Sequence, residues 1–149
     1  MKKLFILFCI ITSALLLTEC KKYPEGPSIS FRSKSERVAN TWKLSKYYEK
    51  NVDLTSNFNT AYTKFTFTTT KGGDYTLTRE LFSLANTSET GNWSFSSNKK
   101  TFILSPTSIS LGTLPSSSSW QILKLYEKEM WLRNIDSNGK VIEYHLVSA

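Results

Sequence analysis

Tyr62-Thr-Lys-Phe65-Thr-Phe67-Thr-Thr-Thr70 runs into Lys71-Gly72-Gly73-Asp74 and then into Tyr75-Thr-Leu77-Thr-Arg-Glu80, and the reading of residues 62–80 decides the fold. Apolar and polar side chains alternate in both arms, which is the period of a strand, because successive strand side chains point to opposite faces. Two adjacent glycines reach positive φ without steric cost, so the four residues between the arms predict a hairpin turn. Phe65 and Phe67 then share one face of the first arm, and Tyr75 and Leu77 share a face of the second.

Similar runs flank this hairpin on both sides. Together with 62–70 and 75–80, the stretches 41–49, 92–96, 101–104, 120–126, 130–135 and 140–147 predict eight strands, rich in Thr, Phe, Tyr and Trp and separated by polar turns such as Asp136-Ser137-Asn138-Gly139. All four prolines fall outside these runs. Residues 33–40 predict one or two helical turns with Ser33 or Ser35 as N-cap, and nothing after them reads as helical. Eight antiparallel strands on short turns close most economically on themselves, since closure removes both exposed edges. The expected fold is therefore all-β: an eight-stranded up-and-down meander closing into a barrel over residues 31–149, with a short N-terminal helical turn and Trp42 as a packed plug of the floor. Such a barrel is about wide enough to fill with side chains or to hold one small ligand.

Composition agrees with one domain. The chain has 149 residues, 40% of them hydrophobic, with only six Gly and four Pro, which excludes collagen-like and disordered classes. One histidine and two cysteines cannot supply the four ligands of a structural zinc cage, and no metal or other cofactor is expected.

The first twenty residues set the expected address. Met1-Lys2-Lys3 is a basic start, and residues 4–17 are mostly apolar. At 1.5 Å per residue such a run covers about 21 Å, short of the roughly 30 Å hydrocarbon core, so a signal peptide over 1–19 is expected in preference to a spanning helix. Cys20, with Leu17 three positions before it, resembles the cysteine of a bacterial lipobox, although Glu19 stands where that pattern has a small residue. The resemblance implies cleavage before Cys20 and a diacylglyceryl group on its sulfur. The exported chain then has no second cysteine and so no disulfide. Residues 20–30, with Pro24, Gly26 and Pro27, predict a lipidated N-terminus and flexible tether with a reach of about 30 Å. Loss of the leader removes Lys2, Lys3 and Glu19 and leaves 17 basic against 11 acidic residues. The excess gathers in residues 21–50, either as a collar for anionic headgroups or as a solvated face. Nucleic acid is not an expected partner, because export removes it and no basic helix is present.

The basic leader, Cys20 followed by Lys21 and Lys22, Asn40-Thr41-Trp42, Gly73-Asp74-Tyr75, Gly91-Asn92-Trp93 and a closing strand containing Tyr144 together resemble the small lipocalin-like lipoproteins of Gram-negative, Bacteroidetes-type bacteria. Lipocalins open with Gly-x-Trp; here Asn40 replaces the glycine and Trp42 is kept. The resemblance implies a membrane-anchored barrel. With lysines in place of acids after the cysteine, an outer-membrane position facing the periplasm is expected, and a monomer.

Catalytic patterns are missing from this reading. His145, the only histidine, alternates with Ile142, Tyr144 and Leu146 and is expected to face water; Glu127 and Glu129 flank a turn. No nucleophile elbow, phosphate loop or zinc-protease motif occurs, so an enzyme is not expected. Ligand-lining residues, if the interior holds a guest, are Phe65, Phe67, Tyr75, Leu77 and Trp93, while Trp120 and Trp131 line a cavity or fill the core. Residues 81–84 and the serine-rich 105–119 are the loops expected to guard the open end. Two classes of function stay open: a carrier of a small hydrophobic or amphipathic molecule, or a filled barrel that docks another envelope protein.

Overall fold

The computed structural model describes residues 23–24, 31–113 and 115–149. The signal peptide, Cys20 and most of the expected tether lie outside them. Helix α1 (Lys34–Val38) leads into β1 (Thr41–Glu49), a two-residue β2 (Val52–Asp53), helix α2 (Thr55–Ala61) and then β3 (Tyr62–Thr69), β4 (Asp74–Leu81), β5 (Ala85–Phe95), β6 (Thr101–Ile109), β7 (Ser118–Leu125), β8 (Glu129–Ile135) and β9 (Val141–Ser148). Each neighbouring pair is antiparallel, and β9 returns to pair with β1, so eight strands close a barrel while β2 extends one end of β1.

The expected eight strands all form, with changes at their ends. Strand β5 begins seven residues before the expected 92–96, and β6 runs five residues past Leu104 and takes in Pro106. There a bulge shifts the β5 register and β7 no longer pairs, the setting in which a strand tolerates proline. The expectation of no helix after residue 40 is corrected by α2. Its only large apolar side chain is Phe58, and its start is held by Asp53, whose Oδ1 accepts from Thr55 N at 3.0 Å and from Thr55 Oγ1 at 2.6 Å.

The closed end is packed around α1. Trp42 is fully buried, and its Nε1 donates to Val38 O at 2.9 Å. Val38, Phe67, Phe102, Leu125 and Met130 belong to the same core, and Trp93 joins them, its Nε1 donating to Thr70 O in the β3–β4 turn. Tyr23 belongs there too. This residue of the expected tether is 2% exposed, its hydroxyl donates to Lys99 O at 2.8 Å, and burial pushes its phenol up to about 12.

Helix α1 is too short to persist unaided. Ser33 and Glu36 form a reciprocal capping box, and Lys71 Nζ reaches Glu36 Oε1 at 2.8 Å. The hydrogen bond from Lys71, then those from Ser33, hold the Glu36 carboxyl down to about 2, against an ordinary 4.5. A depressed folded-state value contributes stability above about pH 4.5 that is lost as pH falls toward 2. The melting temperature should drop through that window, and Glu36→Gln should flatten part of the drop; an unchanged acid limb in the variant would remove Glu36 from the account.

Candidate functional site

Above the floor the barrel interior opens into a cavity of about 200 Å³. Phe65, Phe67 and Leu77 form one wall, Leu104, Trp120, Leu132, Tyr144 and Leu146 the other, and Pro115 and Ser116 of the serine-rich loop close over it. Trp120 stacks on Tyr144 with centroids 5.2 Å apart. Burial pushes the Tyr144 phenol up to about 12, so it stays neutral through the physiological range.

Two charged side chains stand in this apolar wall. Glu89 is 7% exposed and Arg79 faces it from the neighbouring strand, Arg79 Nη2 lying 3.7 Å from Glu89 Oε2. Tyr75 lies behind them and donates from its hydroxyl to Glu89 Oε1 at 2.7 Å, a bond that adds to burial in pushing the Tyr75 phenol upward. Glu89 is thus paired twice. Arg79 Nε is buried and has no hydrogen-bond acceptor among the described residues. A buried donor without an acceptor carries a desolvation cost of roughly 1–3 kcal/mol, which any acceptor in the cavity would relieve.

Of the five residues expected to line the cavity, Phe65, Phe67 and Leu77 do so. Tyr75 lies one layer back, against Glu89, and Trp93 lies in the floor. Trp120 is in the wall, whereas Trp131 is on the outside, because Met130 and Leu132 take the inward positions of β8. His145 does occupy the outer face of β9 but is not bare to water. Its ring stacks on Trp131 with centroids 3.9 Å apart, and its Nε2 meets Glu143 Oε1, which leaves the side chain 13% exposed. Glu127 and Glu129 are ion-paired with Arg32 and Lys124. Arg79 and Glu89 were not singled out in the sequence, where a lone arginine and a lone glutamate ten residues apart carry no pattern.

The mouth is shaped by α2 and two loops. Phe58 drops from α2 between Tyr47, Tyr62, Phe65 and Tyr144, with centroids 4.7–5.9 Å away, and so corks the edge of the cavity. The β4–β5 turn holds Phe82 and Ser83 at φ of 48° and 56°, values uncommon outside Gly and Asn, and it presents Phe82 and Leu84 to solvent. Barrel closure is tightest at the floor: β1 meets β3 only at Thr41↔Thr68 and Trp42↔Phe67, and β6 meets β7 only from Thr101↔Gln121 to Leu104↔Ser118.

No family model and no curated protein matches the sequence. Solved structures do. A lipocalin-like protein from Bacteroides uniformis ATCC 8492 matches 76% of this chain and 99% of its own, at 13% identity and a TM-score of 0.51. An uncharacterized protein from Bacteroides eggerthii DSM 20697 matches over 74% and 98%, at 10% identity and a TM-score of 0.49. The likeness to the first of these is one of fold, and with eight antiparallel strands closing a barrel the chain has a lipocalin-like fold.

Proposed function

We propose that this protein is a membrane-anchored lipoprotein, outer-membrane and periplasm-facing, whose barrel holds a slim amphipathic molecule. The observation that carries the reading is the half-buried Arg79, whose Nε is buried without an acceptor among the described residues, beside Glu89 in a mostly apolar wall. An apolar body would lie against Phe65, Leu77 and Trp120, and a hydrogen-bond-accepting head, a carboxylate or a carbonyl, would meet the Arg79 guanidinium. The cavity is smaller than the roughly 300 Å³ at which drug-sized pockets begin, so the guest is narrow. Burial of about 200 Å² at roughly 25 cal/mol per Å² contributes about 5 kcal/mol before the cost of association, which describes a carrier or sensor of modest affinity. Attachment through Cys20 rests on the leader sequence.

Native mass spectrometry of the protein extracted gently from its membrane tests both halves, reporting the acyl mass and any retained guest. Titration with fatty acids, isoprenoids and apolar probes should shift tryptophan emission. Trp120→Phe should abolish most of the shift and Trp93→Phe should leave it. Arg79→Leu should weaken binding of acids about tenfold and spare plain hydrocarbons, since a charge-assisted hydrogen bond contributes about 1.5–3 kcal/mol. Cys20→Ala should free the protein from membranes after a high-salt wash, as two or more acyl chains outweigh any basic patch. Unchanged emission across the panel, with only bare acylated polypeptide in the spectrum, would instead favour a docking block that uses its exposed mouth residues.

A further inference from the structure

The deep burial of Tyr23 carries a consequence for how the barrel sits. Its ring lies in the core, its hydroxyl is bonded to Lys99 O, and Lys34 Nζ stands 4.3 Å over its face. We propose that Tyr23 clamps the barrel floor against the membrane that holds acylated Cys20, with the mouth turned away from that surface. The proposal rests on the reading of Cys20 as a lipid anchor. Only Lys21 and Lys22 stand between the anchor and the clamp, and the three residue steps from Cys20 to Tyr23 span at most about 11 Å, whatever path they take. A free tether running to Ser30 would reach about 30 Å and set no orientation.

Floor chemistry fits an anionic headgroup surface. The turns at 70–73, 96–100 and 126–128 all lie at this end, and Lys71, Lys99, Lys100 and Lys128 are exposed on them. Of the nearby acids, Glu36, Glu127 and Glu129 are paired with Lys71, Arg32 and Lys124, and Asp74 is bonded by Thr70 and Asn92, so the cationic excess at this end lies in Lys99, Lys100 and Lys128. At the opposite end Leu81, Phe82, Leu84, Leu111 and Ile135 are exposed. For those side chains to touch the anchoring leaflet, the floor would have to rise by about the barrel's height, roughly 20 Å for tilted strands of eight residues, well beyond what three residue steps allow.

The test uses the full chain expressed with its leader, purified in detergent and placed in vesicles of phosphatidylethanolamine and phosphatidylglycerol doped with a headgroup-spin-labelled lipid. Ser97→Cys at the floor or Ser83→Cys at the mouth carries a fluorophore, the mature chain having no other free thiol once Cys20 is acylated. The floor label should be quenched at least threefold more than the mouth label. Tyr23→Ala should bring the two toward equality, and Tyr23→Phe, which keeps the ring, should preserve most of the difference. Equal quenching in the parent protein, or stronger quenching at the mouth, overturns the orientation. Absence of the acyl mass overturns the Cys20 reading, and the orientation falls with it. A normal acyl mass with Tyr23→Ala behaving like the parent assigns the orientation to something other than Tyr23 and rejects the clamp.

Discussion

Replacing Trp42 with alanine should lower the melting temperature by on the order of 10–20 °C. The indole is wholly buried between α1 and the strands, and truncating a buried Trp costs about 3–5 kcal/mol once the cavity left behind is counted. The loss has two parts that a second variant separates. Trp42→Phe keeps most of the apolar contact but removes the Nε1 donor; Val38 O retains its bond from Thr69 Oγ1 at 2.5 Å and so is not left unpaired. Phenylalanine should therefore cost much less than alanine. A shift under about 2 °C for Trp42→Ala would mean that the floor does not depend on this side chain. Reducing agent should change neither melting curve, since no second cysteine follows Cys20.

Gly91→Ala should destabilise by about 3 kcal/mol, a large effect for one methyl group. A Cβ at this position would lie 2.3 Å from Ser105 O, 2.7 Å from Pro106 Cα and 2.8 Å from Tyr75 Cε1. Two of those atoms are backbone and cannot rotate away, so β5 and β6 must separate at the bulge. Urea denaturation with an unchanged slope and a lowered midpoint would measure the cost. Amide exchange should show the protection loss centred on 90–92 and 105–107. If the variant melts like the parent, the close approach relaxes freely and the bulge is not a rigid feature.

The strands were legible wherever large apolar residues alternate inward, as in Phe65 and Phe67 or Met130 and Leu132. The first half of β5 was not. Its inward positions hold Thr87, Glu89 and Gly91, and the burial of Glu89 makes sense only beside Arg79 and Tyr75 of the adjacent strand. Helix α2 was missed because Thr-Ser-Asn-Phe-Asn-Thr-Ala has weak helix formers and one apolar anchor; what holds it is Phe58 packed against aromatics from three strands. The outward place of Trp131 was readable, since Met130 and Leu132 on either side of it claim the core face. Tyr23 could not be placed from its neighbours Lys, Lys and Pro, as nothing local shows that a floor waits for a ring. The candidate site was half legible for the same reason: its apolar wall is written along single strands, and its charged pair is made only by register between two.

The partial seams between β1 and β3 and between β6 and β7 make the barrel mechanically uneven. Around the floor every strand is stitched to both neighbours, so that end behaves as a fixed ring whose circumference is set by hydrogen bonds. Toward the mouth two stitches are already open, and spreading the strands there breaks no ladder bond. Among the described residues, resistance to spreading comes from Phe58 wedged among its aromatic neighbours, from a few bonds that tie α2 to β1 and to the β4–β5 turn, and from the serine-rich loop. The interior is therefore a tapered sleeve with a stiff base and a compliant rim, and the girth of what it admits is governed by soft side-chain contacts and loop slack, not by the number of strands.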